Sequence, residues 1–467
     1  MKNRRGWTAR CGAGTAMAAA RAAGVLLVAA LPAAALGACG IGPGDGAGGT
    51  APALTLGVGS ASTSSGTGPA SAASAAPGTG PATTAPGVGS ADATAAGPAR
   101  ATAAGPATSA PGAEGTGAPP ETATLDADAA SAAGEVARIH AIDVGQGDAV
   151  LLEFSCAAML IDTGGELDDG FDSRAALKAY LDAFFARRTD LERTLALLVI
   201  SHPHIDHMRG VPTVLDGYKV RNVIDDGLDG GSSVSKEMAA LRGWLKAHAA
   251  GADAVRYRAI KRGDIKPGGL SDKIIDPIAC KPVNPRIRVL WGKVSKDPGW
   301  GSDHGKPRFD NPNNHSVVTR VDFGEASMLF TGDLEEHAIA DLVKRSGPSG
   351  ALDVDFYKVG HHGSENGTTK ALLDAMTPEL ALLSMGPEKR HFDWSAWKFG
   401  HPRKPAVELL LGAVSGHRPP VDVPVAAAVE TFAPMKIGAA IYATGWDGNV
   451  ILEANADGHF RLVKKVP

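Results

Sequence analysis

An unbroken apolar run over residues 195–200, Leu-Ala-Leu-Leu-Val-Ile, passes almost directly into His202-Pro203-His204-Ile205-Asp206-His207. That junction constrains the fold more than any other feature of the chain. A continuous apolar run of this length is expected to form a buried strand, which puts three imidazoles and a carboxylate on the loop at its end. A sheet holds such a loop rigidly and leaves it open to solvent. Imidazole and carboxylate together suit divalent ions of the zinc or manganese type. The plain alternative is a solvated loop rich in histidine, but four ligand-type side chains within six residues argue against it.

The same arrangement recurs downstream. Met328-Leu329-Phe330 runs into Thr331-Gly332-Asp333, and residues 355–359 run into His361 and His362. Upstream, residues 159–161 end at Asp162, while Gly145, Gly147, Gly164 and Gly165 punctuate strand-like segments as tight turns require. By itself Asp333 would read as the N-cap of a helix expected over 334–344. Asp162 is either a turn-capping Asx residue or a group that orients a ligand. His401, in a Gly-His-Pro turn, would read as a surface histidine.

In order along the chain, residues 140–152, 159–165, His202 to His207, Asn313-Asn314-His315-Ser316, Leu329 to Asp333, Val359-Gly360-His361-His362-Gly363-Ser364 and Gly400-His401-Pro402 resemble the metallo-β-lactamase fold. Within it they resemble the subgroup formed by the soluble domain of the competence protein ComEC. The resemblance runs from about Ile139 to the C-terminus. It implies an α/β domain built as a four-layer αββα sandwich holding two divalent ions, zinc or manganese. It further implies His202 and His204 on a first metal, Asp206, His207 and His361 on a second, and Asp333 bridging them. Asp206, His362 and His401 are the catalytic candidates, and either histidine is placed to protonate a leaving oxygen. Of the pair 361 and 362, His361 is favoured as the ligand. Many members of this fold complete the first metal with a histidine where this chain has Asn313-Asn314-His315-Ser316. His315 is therefore expected to point elsewhere, with the first metal either held more weakly or held by a carboxamide oxygen, which tilts the preference from zinc towards manganese or magnesium.

Lys2, Arg4, Arg5, Arg10 and Arg21 precede the apolar stretch 24–31, and Leu36-Gly37-Ala38-Cys39 follows. A charged start, a short apolar core and a small-residue cleavage site make residues 1–38 a secretory signal. The ending resembles a bacterial lipobox, which implies lipid on Cys39 and an exported, membrane-anchored lipoprotein. Residues 39–134 are almost all Ala, Gly, Pro, Ser and Thr. Such a segment buries too little apolar surface to offset its chain entropy and is expected to be a disordered tether. The catalytic domain is then 135–467. Helical spacing of apolar residues over 175–186, 236–248, 369–376 and 406–411, alternating with strand-like runs, argues for a sheet covered by helices. Cys156 and Cys280 are read as structural; sequence alone leaves open whether they are bonded.

Residues 217–310 read as a Pro/Gly-rich insertion. Residues 254–308 hold thirteen Lys and Arg against five Asp, an excess of +8 in a chain whose net charge is −4. The segment is either a solvated surface or a positive rim that concentrates an anionic substrate such as nucleic acid or a phosphoester. The expected activity is metal-dependent hydrolysis by a metal-bound hydroxide, of a phosphodiester first. Another ester, lactone, thioester or β-lactam on the same site, or a non-catalytic binding lipoprotein, are the alternatives.

Overall fold

The computed structural model describes residues 136–465. The expected signal, Cys39 and the tether lie outside the described residues. Among the described residues the strands longer than two residues begin, in chain order, with β1 (Val136–Ala141), β2 (Val150–Glu153), β3 (Ala158–Ile161), β4 (Leu197–Val199), β5 (Asn222–Asp225), β6 (Arg256–Ala259), β7 (Arg286–Trp291) and β8 (Val318–Phe323). Eight more follow: β9 (Ala326–Phe330), β10 (Phe356–Lys358), β11 (Leu380–Leu383), β12 (His417–Ala428), β13 (Thr431–Ala439), β14 (Ile441–Ala443), β15 (Val450–Asn455) and β16 (Phe460–Lys465). One sheet has the order β6-β5-β4-β3-β2-β1-β15-β16 and the other β7-β8-β9-β10-β11-β14.

The layering follows from strand alternation. In β2, Val150 and Leu152 enter the core shared with the second sheet, whereas Leu151 packs the other way. In β3 and β4 the same split separates Met159, Ile161, Leu197 and Val199 from Leu160 and Leu198. A strand apolar on both faces must be covered on both. The outer face of the first sheet is covered by α1 (Ser173–Arg187), α2 (Val211–Gly217) and α3 (Ser235–Ala247). Leu177, Leu181, Phe184 and Phe185 of α1, at helical spacing, form its buried stripe. The second sheet carries α4 (Glu336–Ser346), α5 (Lys370–Asp374) and α6 (Lys404–Ala413). The result is the αββα sandwich.

The segment 217–310, expected as a surface insertion, is instead woven into both sheets: β5 and β6 extend the first and β7 is an edge of the second. Its strands are short, and β6 alternates charged with other residues, Arg-Tyr-Arg-Ala, so no apolar run announces them. Cys156 and Cys280 form a disulfide, their Cα atoms 5.4 Å apart, tying the β2–β3 turn to the chain entering β7.

Glu153, at the end of β2, is 3 % exposed. It accepts from Arg187 at 2.8 and 2.9 Å and from Arg188 at 2.8 Å, with His140 Nε2 at 3.1 Å. Burial alone would raise its pKa, but the hydrogen bonds from His140 and Arg187 hold it well below the usual carboxylate range.

Strand direction matters most for function. β3, β4, β5 and β6 run parallel, as do β9, β10, β11 and β14. Their C-terminal ends deliver Asp162, Ser201 to His207, Asp333, His361 and His362 to one end of the sandwich.

Candidate metal centre

Asp333 lies at the centre of the cluster. Its Oδ2 stands 3.1 Å from His207 Nε2, 3.4 Å from His362 Nε2, 3.9 Å from His361 Nε2 and 4.0 Å from His202 Nε2. It does not cap the helix that follows, since the N-cap of α4 is Glu335. The turn that presents it requires glycine: Gly332 has φ +54°, and a Cβ there would stand 2.8 Å from that of Ser201.

Each imidazole is fixed by its far nitrogen. His207 Nδ1 is 2.9 Å from Asp162 Oδ2, which leaves Nε2 facing Asp333. Asp162 also accepts the Ser201 amide and hydroxyl, each at 2.7 Å. It therefore orients ligands rather than capping a turn. His362 Nδ1 donates to the Ser384 carbonyl at 2.8 Å, so its Nε2 faces Asp206 Oδ2 at 3.2 Å. His202 Nδ1 has the Ser201 and Ser316 hydroxyls at 3.1 and 3.3 Å, and its Nε2 meets His204 Nδ1 at 3.1 Å.

These donors fit divalent ions. Two nitrogen or oxygen ligands on one tetrahedral ion, with bonds of about 2.0–2.1 Å, stand roughly 3.3 Å apart. The four pairs His202–His204, His207–Asp333, His362–Asp206 and His362–Asp333 lie between 3.1 and 3.4 Å. Asp206, His207, Asp333 and His362 offer ligand atoms all within 4.8 Å of one another. Asp333 Oδ1 and His207 Nε2 are buried without a hydrogen-bond partner, which natural proteins seldom leave unexplained. Burial opposes charge on His207, but Asp333 and Asp162 raise its pKa well above the ordinary value. His362 is pushed up to about 10 by Asp333 and Asp206, again against burial.

Of the pair, the His362 ring is the one 3.2 Å from Asp206 and 3.4 Å from Asp333, whereas that of His361, favoured from the sequence, stands 3.9 Å from Asp333. His361 stands nearer the mouth, its Nδ1 2.9 Å from Asn366 Oδ1 and 3.9 Å from Glu335 Oε1. Backbone conformation decides between them. Both adopt left-handed φ, +46° and +52°, a strained pair of the kind that clusters at functional sites, and sequence does not show which ring such a turn aims inwards. His315 is turned away as expected: Nδ1 accepts the Val294 amide and Nε2 donates to the Phe309 carbonyl. The Asn313 and Asn314 carboxamide oxygens are buried without partners, and Asn313 Nδ2 donates to Glu335 at 2.9 Å.

His401, which in isolation reads as a surface residue, is 8 % exposed, its ring 5.8 Å from that of His361 and 6.0 Å from that of His362. Gln146 Nε2 donates to its Nδ1 at 3.1 Å, so the neutral ring carries its proton on Nε2. Burial first, then the charges on His361 and His362, hold its pKa well below the ordinary value.

Sequence reasoning assigned no role to Gln146, Asp148, Lys358 or Glu335. Lys358 Nζ makes a buried 2.8 Å ion pair with Asp148, whose amide in turn donates to the Asp206 carbonyl. That pair pins the β10 end that carries His361 and His362 to the loop that carries Asp206. Gln146 and Asp148 stand inside the block 140–152 that carries the resemblance, and that was the only signal for them.

The sequence description of the metallo-beta-lactamase superfamily matches residues 142–386, more than half of the chain. The chain belongs to this superfamily. Within the superfamily the relatives it resembles are of the ComEC-like kind. It is 26 % identical over 265 residues to Recombination protein 2 of Haemophilus influenzae, covering 56 % of this chain and 25 % of that protein. It is 25 % identical over 294 residues to ComE operon protein 3 of Bacillus subtilis, covering 60 % and 31 %. The chain therefore spans about a quarter to a third of the length of these relatives. Among solved structures it is similar to the metallo-beta-lactamase fold protein YhfI of Bacillus subtilis, at 11 % identity and a TM-score of 0.33, over 60 % of this chain and 94 % of that one.

Proposed function

We infer that this domain hydrolyses phosphodiester bonds of nucleic acid, on an exported protein held to the membrane by lipid on Cys39. The carrying observation is the cluster of Asp206, His207, Asp333 and His362 around one acidic centre, with His202 and His204 beside it. Divalent ions bound there would make a water nucleophilic at neutral pH and neutralise charge on phosphate oxygens. Asp333 reaches both halves of the ligand set. Asp162 and Ser384 fix the ring orientations of His207 and His362 through the far nitrogens. His401, held by Gln146 as the Nε2–H form, presents a hydrogen-bond donor for a phosphate or leaving oxygen. His361 is the more exposed donor at the mouth. The name of one relative, Recombination protein 2, supports a DNA-related substrate, and the disulfide supports an oxidising compartment.

The placement of positive charge supports a polyanion. β6 ends at Ala259 and leads into Lys261 and Arg262; β7 ends at Trp291 and leads into Lys293. β7 is antiparallel to β8, which is antiparallel to β9. Both strands therefore finish at the end of the sandwich that holds the metal ligands. Lys261 and Lys293 form a parallel bridge there, joining the edges of the two sheets. Three arginines of the segment are not available in the same way. Arg258 pairs with Asp272, Arg288 pairs with Asp322 at 2.8 Å, and Arg256 starts β6 at the far end.

Reversing Lys261, Arg262 and Lys293 to Glu should weaken oligonucleotide binding and reduce the slope of log Kd against log salt by about 1 for each phosphate that is no longer neutralised. Arg256→Glu should leave the slope unchanged. Equal slopes in all three proteins, with turnover of a small diester retained, would contradict the polyanion reading.

A further inference from the structure

Beyond the ligand cluster, a row of rings leads from the site to solvent. His401 lies against His361 and His362. Phe399 lies near-parallel to His401, centroids 5.8 Å apart at 24°, and Trp394 meets Phe399 edge-on at 5.9 Å. Trp394 is 57 % exposed and Phe399 37 %, unusual for large rings with a cost to hydration. The segment that carries them is anchored. Arg390 pairs with buried Glu166 at 2.6 Å and lies over the Phe171 ring, while Ser395 caps the short helix Ala396–Phe399. The tip of the β12–β13 hairpin stands alongside, with the Glu430 amide on the Trp397 carbonyl and Lys398 paired to Glu430 at 2.7 Å.

We propose that Trp394 and Phe399 form a stacking platform for a base beside the scissile phosphodiester of a single-stranded nucleic acid. This rests on the phosphodiesterase reading. The row is continuous with the site, so whatever covers the exposed rings during turnover adjoins the reacting group. In a nucleic acid strand, each phosphate is joined to a sugar that carries a base, and bases stack on exposed aromatic rings irrespective of sequence. A duplex keeps its bases within its own stack and gives the rings no such partner. A protein segment docked on Phe399 would lie against His401 and obstruct the mouth.

The test is the affinity of the full chain, in EDTA, for a labelled oligothymidylate and for an abasic sugar-phosphate strand of the same length. The wild type should prefer the base-bearing strand by about tenfold or more. Trp394→Ala should lose most of that preference and Trp394→Phe should keep it. The thermal transition and metal content of Trp394→Ala should match those of the wild type, because Trp394 is 57 % exposed and lies outside the ligand cluster. Equal affinity of the wild type for both strands, or a preference that survives Trp394→Ala, overturns the platform. If the metal-loaded protein still cleaves the oligothymidylate, the phosphodiesterase reading stands. Failure of the wild type to bind or cleave either strand overturns both.

Discussion

Asp333→Ala should lose bound metal and hydrolytic activity together while the domain remains folded. Asp333 Oδ2 lies within 4.0 Å of four imidazoles, and no other carboxylate of the cluster reaches as many. Removing a single transition-state donor costs about 10²–10³ in rate, and removing the group that links both halves of a ligand set should exceed that. Stability of the metal-free protein should fall, because buried Asp333 stands 3.1 and 3.4 Å from His207 and His362 and these imidazoles, against burial, hold its carboxyl well below the ordinary range; the domain should still fold, since Asp333 is not part of the apolar core. Metal content by elemental analysis, beside the thermal transition, checks this. A variant that retains its full metal complement excludes the central role of Asp333.

Glu153→Gln should produce the largest loss of stability at any position away from the site. The carboxylate is buried among Arg187, Arg188 and His140, so the substitution leaves cations unmatched. Breaking such a pair costs about 3–5 kcal/mol when fully buried. Arg187 is one-third exposed, which favours the lower end, a fall in Tm of about 5–10 °C in a domain of this size. The pH dependence has a definite sign. Glu153 titrates lower in the folded state than its ordinary value, so its contribution is complete above the unfolded pKa of about 4.3 and fades as pH falls below it. The stability difference between wild type and variant should therefore be constant near neutrality and shrink in acid. A difference that grows in acid would contradict the assignment.

The strand-end logic of the site was legible because apolar runs stop at ligand-type residues at His202, Asp333 and His361. Helical periodicity likewise anticipated α1, α3, α4, α5 and α6 to within a few residues. Three features were not legible, each for a physical reason. β5, β6 and β7 hide in a charged segment because edge and near-edge strands of four to six residues need little apolar run. The Cys156–Cys280 bond joins residues 124 positions apart, and sequence separation says nothing about Cα distance. That the ring of His362 lies closer to Asp333 than that of His361 depends on two consecutive left-handed residues, a conformation that neither propensity nor pattern encodes. Gln146, Asp148 and Lys358 act through buried partners more than 200 residues away, so their roles emerge only once the two sheets are packed.

The most direct test is to strip the purified full-length protein of metal, titrate manganese or zinc back, and follow cleavage of a single-stranded oligonucleotide. The stripped protein should show no cleavage, activity should rise with bound metal to a plateau, and Asp333→Ala should show none at any metal concentration. A wild-type protein that binds its full complement of metal yet leaves the oligonucleotide intact would contradict it.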